Sequence, residues 1–254
     1  MGVFCPLASG SKGNALYLEG CGTKVLIDAG ISFKVLQKKL SSIDVDIGEI
    51  EAILVTHEHG DHTKGLEHTA NKLGIPLLSN GETAKAIIKQ MNSTPRFKIF
   101  TTGESFEFGA LQVTPFSVQH DTLDPVGFTF TIGSYKIGVC ADLGFVSSLV
   151  KLQLKDCNIL YLEFNHEVSM VHSSNRPSIY KQRVLGRQGH LSNESASLLL
   201  KDIDHSGLEH IYLAHLSSEC NSPHVALKQA QDHCERQLPL SIAYQDTVST
   251  PFYF

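Results

Sequence analysis

Ala52-Ile53-Leu54-Val55 runs straight into Thr56-His57-Glu58-His59-Gly60-Asp61-His62. Four apolar residues before a polar cluster read as a buried strand that delivers side chains to a sheet edge. The cluster carries three imidazoles and the carboxylate of Asp61. Imidazole nitrogen and carboxylate oxygen are the ligands of zinc, and of iron or manganese where oxygen dominates. His57 and His59 alternate with Glu58, so on an extended segment they point to one side. Asp61 and His62 are adjacent and point apart, which suits a second ion. One block can therefore supply ligands to two metals.

The chain has 254 residues, and α/β layered folds often use such a length as one domain. Residues 1–254 are expected to form that single domain, long enough to bury a large core. A charged content of 19% beside 42% hydrophobic residues speaks against disorder. The net charge of −5 means that any nucleic-acid contact has to come from a local basic patch. No apolar run reaches the length of a membrane span, and the N-terminus lacks the pattern of a secretory signal. Cys5, Cys21, Cys140, Cys157, Cys220 and Cys234 form no Cys-x-x-Cys pair, so reduced core thiols in a cytoplasmic protein are expected.

Outward from the His block, apolar runs and turn residues predict strands over 3–8, 15–19, 24–27, 75–79, 97–101, 105–108, 111–118, 127–132, 136–140, 158–162, 210–214 and 240–244. Helices are expected over 32–41, 64–73, 81–91, 145–152, 193–203 and 223–237, and residues 167–189 look irregular. The turn Ser9-Gly10-Ser11-Lys12-Gly13-Asn14 could offer backbone N–H groups to an anion, with Ser11 and Asn14 as substrate contacts, or be a plain hairpin turn. One order of elements occurs twice: strand, Asp28-x-Gly30, helix, strand, polar cluster; then strand, Asp142-x-Gly144, helix, strand, polar cluster. Two similar halves with converging strand ends predict an α/β sandwich of two sheets flanked by helices, with the site between the halves.

The remaining ligand candidates, His120, Asp142 and His215, each follow a predicted strand, where a rigid element can hold a ligand. The series Asp28, His57-x-His59-x-Asp61-His62, His120, Asp142, His215 resembles the five motifs of the metallo-β-lactamase superfamily, in order and over almost the whole chain. The resemblance implies a four-layer αββα sandwich and two divalent metal ions, zinc or manganese foremost, with iron as a third option. It implies that His57, His59 and His120 hold one ion, that Asp61, His62 and His215 hold the other, and that Asp142 bridges. Asp28 would steady a ligand from behind.

Within the superfamily, Leu7-Ala8-Ser9-Gly10-Ser11-x-Gly13-Asn14, Gly189-His190-Leu191-Ser192-Asn193 and Leu213-Ala214-His215-Leu216-Ser217 resemble the bacterial YycJ/WalJ-type proteins. That resemblance implies exonuclease action on duplex DNA ends. Two ions about 3.5–4 Å apart would share a water, present hydroxide as nucleophile and neutralise phosphate oxygens. Asp61 would orient the hydroxide, His190 would protonate the leaving alkoxide, and Glu163 would orient His190. Arg176, Lys181, Arg183 and Arg187 fall in a stretch without an acid, a candidate phosphate track with Arg183 and Arg187 nearest His190. An ordinary solvated loop is the alternative. The rival functions are a glyoxalase-like thioesterase or lactonase on the same fold, and a non-catalytic nucleic-acid-binding member.

Overall fold

The computed structural model describes every residue except Glu235 and Leu238. Its strands are β1 (Gly2–Ala8), β2 (Ala15–Gly20), β3 (Thr23–Ile27), β4 (Ala52–Leu54), β5 (Leu77–Ser79), β6 (Phe97–Ile99), β7 (Phe106–Phe108), β8 (Leu111–Ser117), β9 (Val126–Ile132), β10 (Tyr135–Cys140), β11 (Ile159–Glu163), β12 (His210–Ala214), β13 (Leu240–Ile242) and β14 (Phe252–Tyr253). The helices are α1 (Phe33–Ser41), α2 (Gly60–Thr63), α3 (Leu66–Leu73), α4 (Gly81–Ile88), α5 (Ser148–Leu154), α6 (Val168–Ser173), α7 (Ser178–Leu185), α8 (Asn193–Ile203) and α9 (Pro223–His233). One sheet runs β14-β1-β2-β3-β4-β5-β6 and the other β13-β12-β11-β10-β9-β8-β7. The pairing repeats between them. β1, β2 and β3 are antiparallel and β3 to β6 parallel; β8, β9 and β10 are antiparallel and β10 to β13 parallel. The duplicated order of elements is thus one sheet in each half.

The central strands are apolar on both faces because both faces are covered. Leu16, Leu18, Val25, Ile27 and Leu54 meet Val113, Phe128, Phe130, Val139 and Tyr161 between the sheets. The alternate residues Tyr17, Leu26, Ile53 and Val55 pack outward on Phe33, Leu36 and Leu66 of the first helical layer. Leu160, Leu162, Ile211 and Leu213 pack outward on Val150, Leu199 and Ala226 of the second. The architecture is a four-layer αββα sandwich. No helix among the described residues is long and apolar enough to cross a membrane.

Three expectations need correction. Residues 167–189 contain two helices, α6 and α7, instead of an irregular loop. Each buries a single residue, Val171 or Val184, so neither carries the apolar stripe that periodicity detects. A short strand, β14, closes the first sheet by pairing Val3 with Tyr253 and Phe4 with Phe252. The last helix ends at His233, and the part of its expected range at Glu235 lies outside the described residues. Among the cysteines, Cys5, Cys140, Cys157 and Cys220 are buried thiols, whereas Cys21 is exposed in the β2–β3 turn.

Candidate metal centre

The strand ends of both sheets meet in one place. The chain leaves β4, continues extended to His59, then turns at Gly60 into α2, which displays Asp61 and His62. Asp28, Asp142 and His215 follow β3, β10 and β12, and all three adopt left-handed backbone, with φ of 60°, 53° and 55°. Non-glycine residues rarely sit there, and each such conformer costs of order 1 kcal/mol or more. The strain falls on three of the residues that the sequence marks as site residues. Gly30 makes the approach possible: a Cβ on it would stand 1.6 Å from the Asp61 carbonyl oxygen.

His57, His62, His120, Asp142 and His215 are buried, while His59 and Asp61 are partly exposed. The ligand atoms of His57, His59 and His120 lie within 4.8 Å of one another, as do those of Asp61, His62 and His215. Asp142 groups with His57 and His62, one residue from each set. The rings are held from behind. His62 Nδ1 donates to Asp28 Oδ2 at 2.7 Å, His120 Nδ1 to the Gly189 carbonyl at 3.0 Å, and His215 Nδ1 to Glu163 Oε1 at 3.1 Å. His57 Nδ1 lies 3.0 Å from Thr56 Oγ1, which itself donates to Asp28 at 2.8 Å. Such outer partners select the tautomer and leave the opposite nitrogen as a lone pair for a cation. Those opposite atoms include His57 Nε2 and His215 Nε2, both buried and without a hydrogen-bond partner. His62 Nε2 and Asp142 Oδ2 lie 2.8 Å apart, yet Asp142 Oδ2 makes no aligned hydrogen bond. Lone pairs converging in a buried space are the donor set of divalent ions, so these residues fit the metals that the motifs imply.

The electrostatics favour positive charge at the same point. Burial opposes charge on His62, but Asp28 and Asp142 outweigh it and push its pKa to about 10. Burial would also raise Asp142, but His215, His62 and His57 hold it well below the usual carboxylate range. His57, with no carboxylate bonded to its ring, is driven well below the ordinary imidazole value by burial and by His62.

Glu163, expected beside His190, is fully buried at the end of β11. It lies 2.8 Å from His190 Nδ1 and also accepts from Leu143 N, Leu191 N and His215, so it serves two histidines. Burial opposes its charge, but His190 and His215 win and set it at about 2. His190 in turn is raised, because Glu163 outweighs the burial of the ring. Gly189 seats His190: a Cβ there would stand 2.1 Å from the Arg183 carbonyl oxygen. Gly189→Ala is expected to cost roughly 1–3 kcal/mol of stability by overpacking and to weaken metal binding, since the Gly189 carbonyl also holds His120. Thermal melting and a metal titration check both; an unchanged midpoint and affinity would show that the contact is slack.

A groove beside the site is lined by Ser11, Tyr180, Arg183, His190, His215 and Ser217, among others. Ser11 is therefore on its wall. Asn14, expected to meet substrate, is buried instead. Its Oδ1 accepts from Gly10 N, and its Nδ2 lies 2.9 Å from His62 Nε2 and 3.2 Å from Asp61 Oδ2. It braces His62 and Asp61. The basic stretch is also less free than its sequence implies. Arg176 is paired with Glu219, and Arg187 stacks 3.7 Å over Phe145 and is not among the groove's lining residues. Arg183 lines the groove, its Nε bonded to Asp121. Sequence reasoning missed Asp121, Asn165 and Ser9. Asn165 Nδ2 donates to the His215 carbonyl at 2.8 Å, and Ser9 Oγ accepts from His215 N at 2.8 Å while touching Tyr161 at 2.7 Å. The polar clusters after β1 and β11 were the available signal.

A beta-lactamase superfamily domain matches residues 23–216. The chain belongs to the beta-lactamase superfamily. Within it, the chain belongs with the YycJ/WalJ-type proteins. It is 37% identical over 225 residues to exodeoxyribonuclease YycJ of Bacillus anthracis, covering 88% of this chain and 85% of that one. It is 34% identical over 225 residues to exodeoxyribonuclease WalJ of Streptococcus pneumoniae, covering 87% and 83%. The fold is shared with the metallo-β-lactamase fold protein YhfI of Bacillus subtilis, at a TM-score of 0.73 and 15% identity over 98% of this chain and all of that one. This member of the superfamily is a metal-dependent hydrolase.

Proposed function

We propose that this superfamily member is a two-metal phosphodiesterase that removes nucleotides from the ends of duplex DNA. The observation that carries the reading is the Glu163–His190 pair, 2.8 Å apart, beside the ligand set and on the wall of a groove that also holds Arg183. The two bacterial relatives are named exodeoxyribonucleases, which supports DNA as the substrate. The common core between the two sheets supports reading residues 1–254 as one folding unit. The cytoplasm, where DNA and reduced thiols coexist, is the compartment that suits it.

His57, His59 and His120 would hold one ion, Asp61, His62 and His215 the other, and Asp142 both. Zinc or manganese suits this mix of imidazole and carboxylate. When bound, the ions supply an activated water and neutralise charge on the phosphate oxygens. Asp61 is partly exposed and can keep one oxygen for orienting that water. Arg183 would bind a phosphate through its guanidinium. His190 gives its Nδ1 to Glu163, which leaves Nε2 to carry a proton to the departing alkoxide. As the proton leaves, the Glu163 carboxylate keeps the ring in register.

Purified protein with zinc or manganese, offered duplex DNA with and without a 5′-phosphate, single strands, RNA, a thioester and a lactone, tests the reading. Preferential loss of duplex ends supports it. Fast thioester or lactone turnover with DNA untouched replaces it by the glyoxalase-like or lactonase alternative. DNA binding without hydrolysis replaces it by a non-catalytic role. Arg183→Ala is expected to lower the salt slope of DNA binding by about one. Arg187→Ala should lower it less, because Arg187 is stacked on Phe145. Equal effects in the two variants would move the phosphate track away from the groove.

A further inference from the structure

Resting on that reading of the site, we infer that Asp121 is a positioning residue which steadies His59 at the first metal position and at the same time aims Arg183 at a substrate phosphate. His59 is the one imidazole of the ligand set whose outer nitrogen has no hydrogen-bond partner among the described residues. Its Nδ1 lies 3.3 Å from His120 Nε2, toward the centre, so its Nε2 is the outward atom. Asp121 Oδ1 stands 3.5 Å from that Nε2 and 3.4 Å from His120 Nε2. Asp28 holds His62 by a 2.7 Å hydrogen bond, whereas Asp121 reaches His59 at ion-pair distance. A carboxylate behind a ligand imidazole fixes its tautomer and orientation.

The other oxygen of Asp121 faces the groove. Oδ2 accepts from Arg183 Nε at 2.6 Å. The guanidinium is planar, so one bond at Nε sets the plane of the whole fork. Among the described residues no partner takes the two Nη groups of Arg183, whereas Arg176 commits both Nε and Nη2 to Glu219. Arg183 is therefore pre-oriented, still has donors to give, and lines the groove with His190, which Arg187 does not. Because Asp121 directly follows His120, this one carboxylate ties α7 to the strand end that supplies a metal ligand. Phosphate reading and the first metal position share a strut.

Zinc titration against a chromophoric chelator, followed by DNA kinetics, tests the strut in wild type, Asp121→Ala, Asp121→Asn, Arg183→Ala and the Asp121→Ala/Arg183→Ala double variant. Thermal melting confirms that each is folded. Asp121→Ala is expected to weaken one of the two zinc sites by about 10–100-fold and to raise the DNA KM by roughly tenfold, the worth of one charge-assisted contact. Arg183→Ala should raise KM similarly and leave zinc affinity unchanged. Asp121→Asn should recover part of the zinc affinity, since its amide oxygen still accepts. The double variant should have the KM of either single one, because the two residues act as a unit. Unchanged zinc affinity in Asp121→Ala overturns the His59 role, and KM increases that multiply in the double variant overturn the coupling. Failure of the underlying reading looks different: wild-type protein would take up no zinc, or would take it up and leave DNA intact.

Discussion

Asp142→Ala is expected to strip the protein of metal and abolish hydrolysis. Asp142 is the residue whose carboxylate reaches both ligand sets, grouping with His57 and His62 and lying 3.4 Å from His215. A shared ligand serves both ions, so its loss weakens two sites in one step. The ions are asked to supply several kcal/mol of transition-state stabilisation, and each 1.4 kcal/mol is a factor of about ten in rate. Turnover should therefore fall by at least roughly 10³-fold. Mass spectrometry of gently purified protein should find about two metals per wild-type chain and fewer than one per variant chain. Asp28→Ala gives the contrast. Asp28 is bonded to Thr56 and His62 and reaches the centre only through them. Its loss should lower affinity by about 10–100-fold and be largely restored by excess metal. A metal-free wild type that takes up none on titration would sink the two-metal reading, and an Asp142→Ala protein with full metal content would remove Asp142 from the bridge.

The second large effect is expected from His190→Ala. An alkoxide is a poor leaving group unless it is protonated as the bond breaks, and a positioned acid is worth roughly 10²–10⁴-fold. The variant should keep its metals, bind DNA nearly as well, and lose DNA turnover by that factor. A nitrophenyl phosphodiester, whose leaving group departs without help, should be hydrolysed nearly as fast as by wild type. Glu163→Ala is a poorer test, because Glu163 holds His190 and His215 together and its removal disturbs both histidines. The opposite outcome is physically defined. Asp142, Glu163, His190 and His215 also form a cluster with ligand atoms within 4.8 Å. If His190→Ala loses metal while His215→Ala keeps it, the two histidines exchange roles. If neither substrate slows, His190 is a structural residue at the start of the chain into α8.

Most of the scaffold was legible in the chain itself. Strands buried on both faces must be apolar throughout, so Val25-Leu26-Ile27, Ile53-Leu54-Val55 and Ile159-Leu160-Tyr161-Leu162 stand out without knowledge of their neighbours. Ligand-type residues directly after such strands were legible for the same reason, because a strand end is a local feature. The pairing of Asp28-x-Gly30 with Asp142-x-Gly144 carried the two-halves architecture, and both aspartates prove to share the left-handed backbone. What remained hidden depends on contacts between distant residues. The run from Arg176 to Arg187 contains no acid, yet Arg176 meets Glu219 and Arg183 meets Asp121. Helices α6 and α7 bury too little to leave a periodic trace, and they pack instead around Cys220 and each other. Asn14 reads as a turn residue, and only the approach of Asp61 and His62 across the sheet end turns it into a brace. Patterning by burial determines which face of each element is apolar, and that is written residue by residue along the chain. Which polar group meets which is decided when strand ends and loops are brought within a few ångströms, and the sequence separation of such pairs carries no periodic signal.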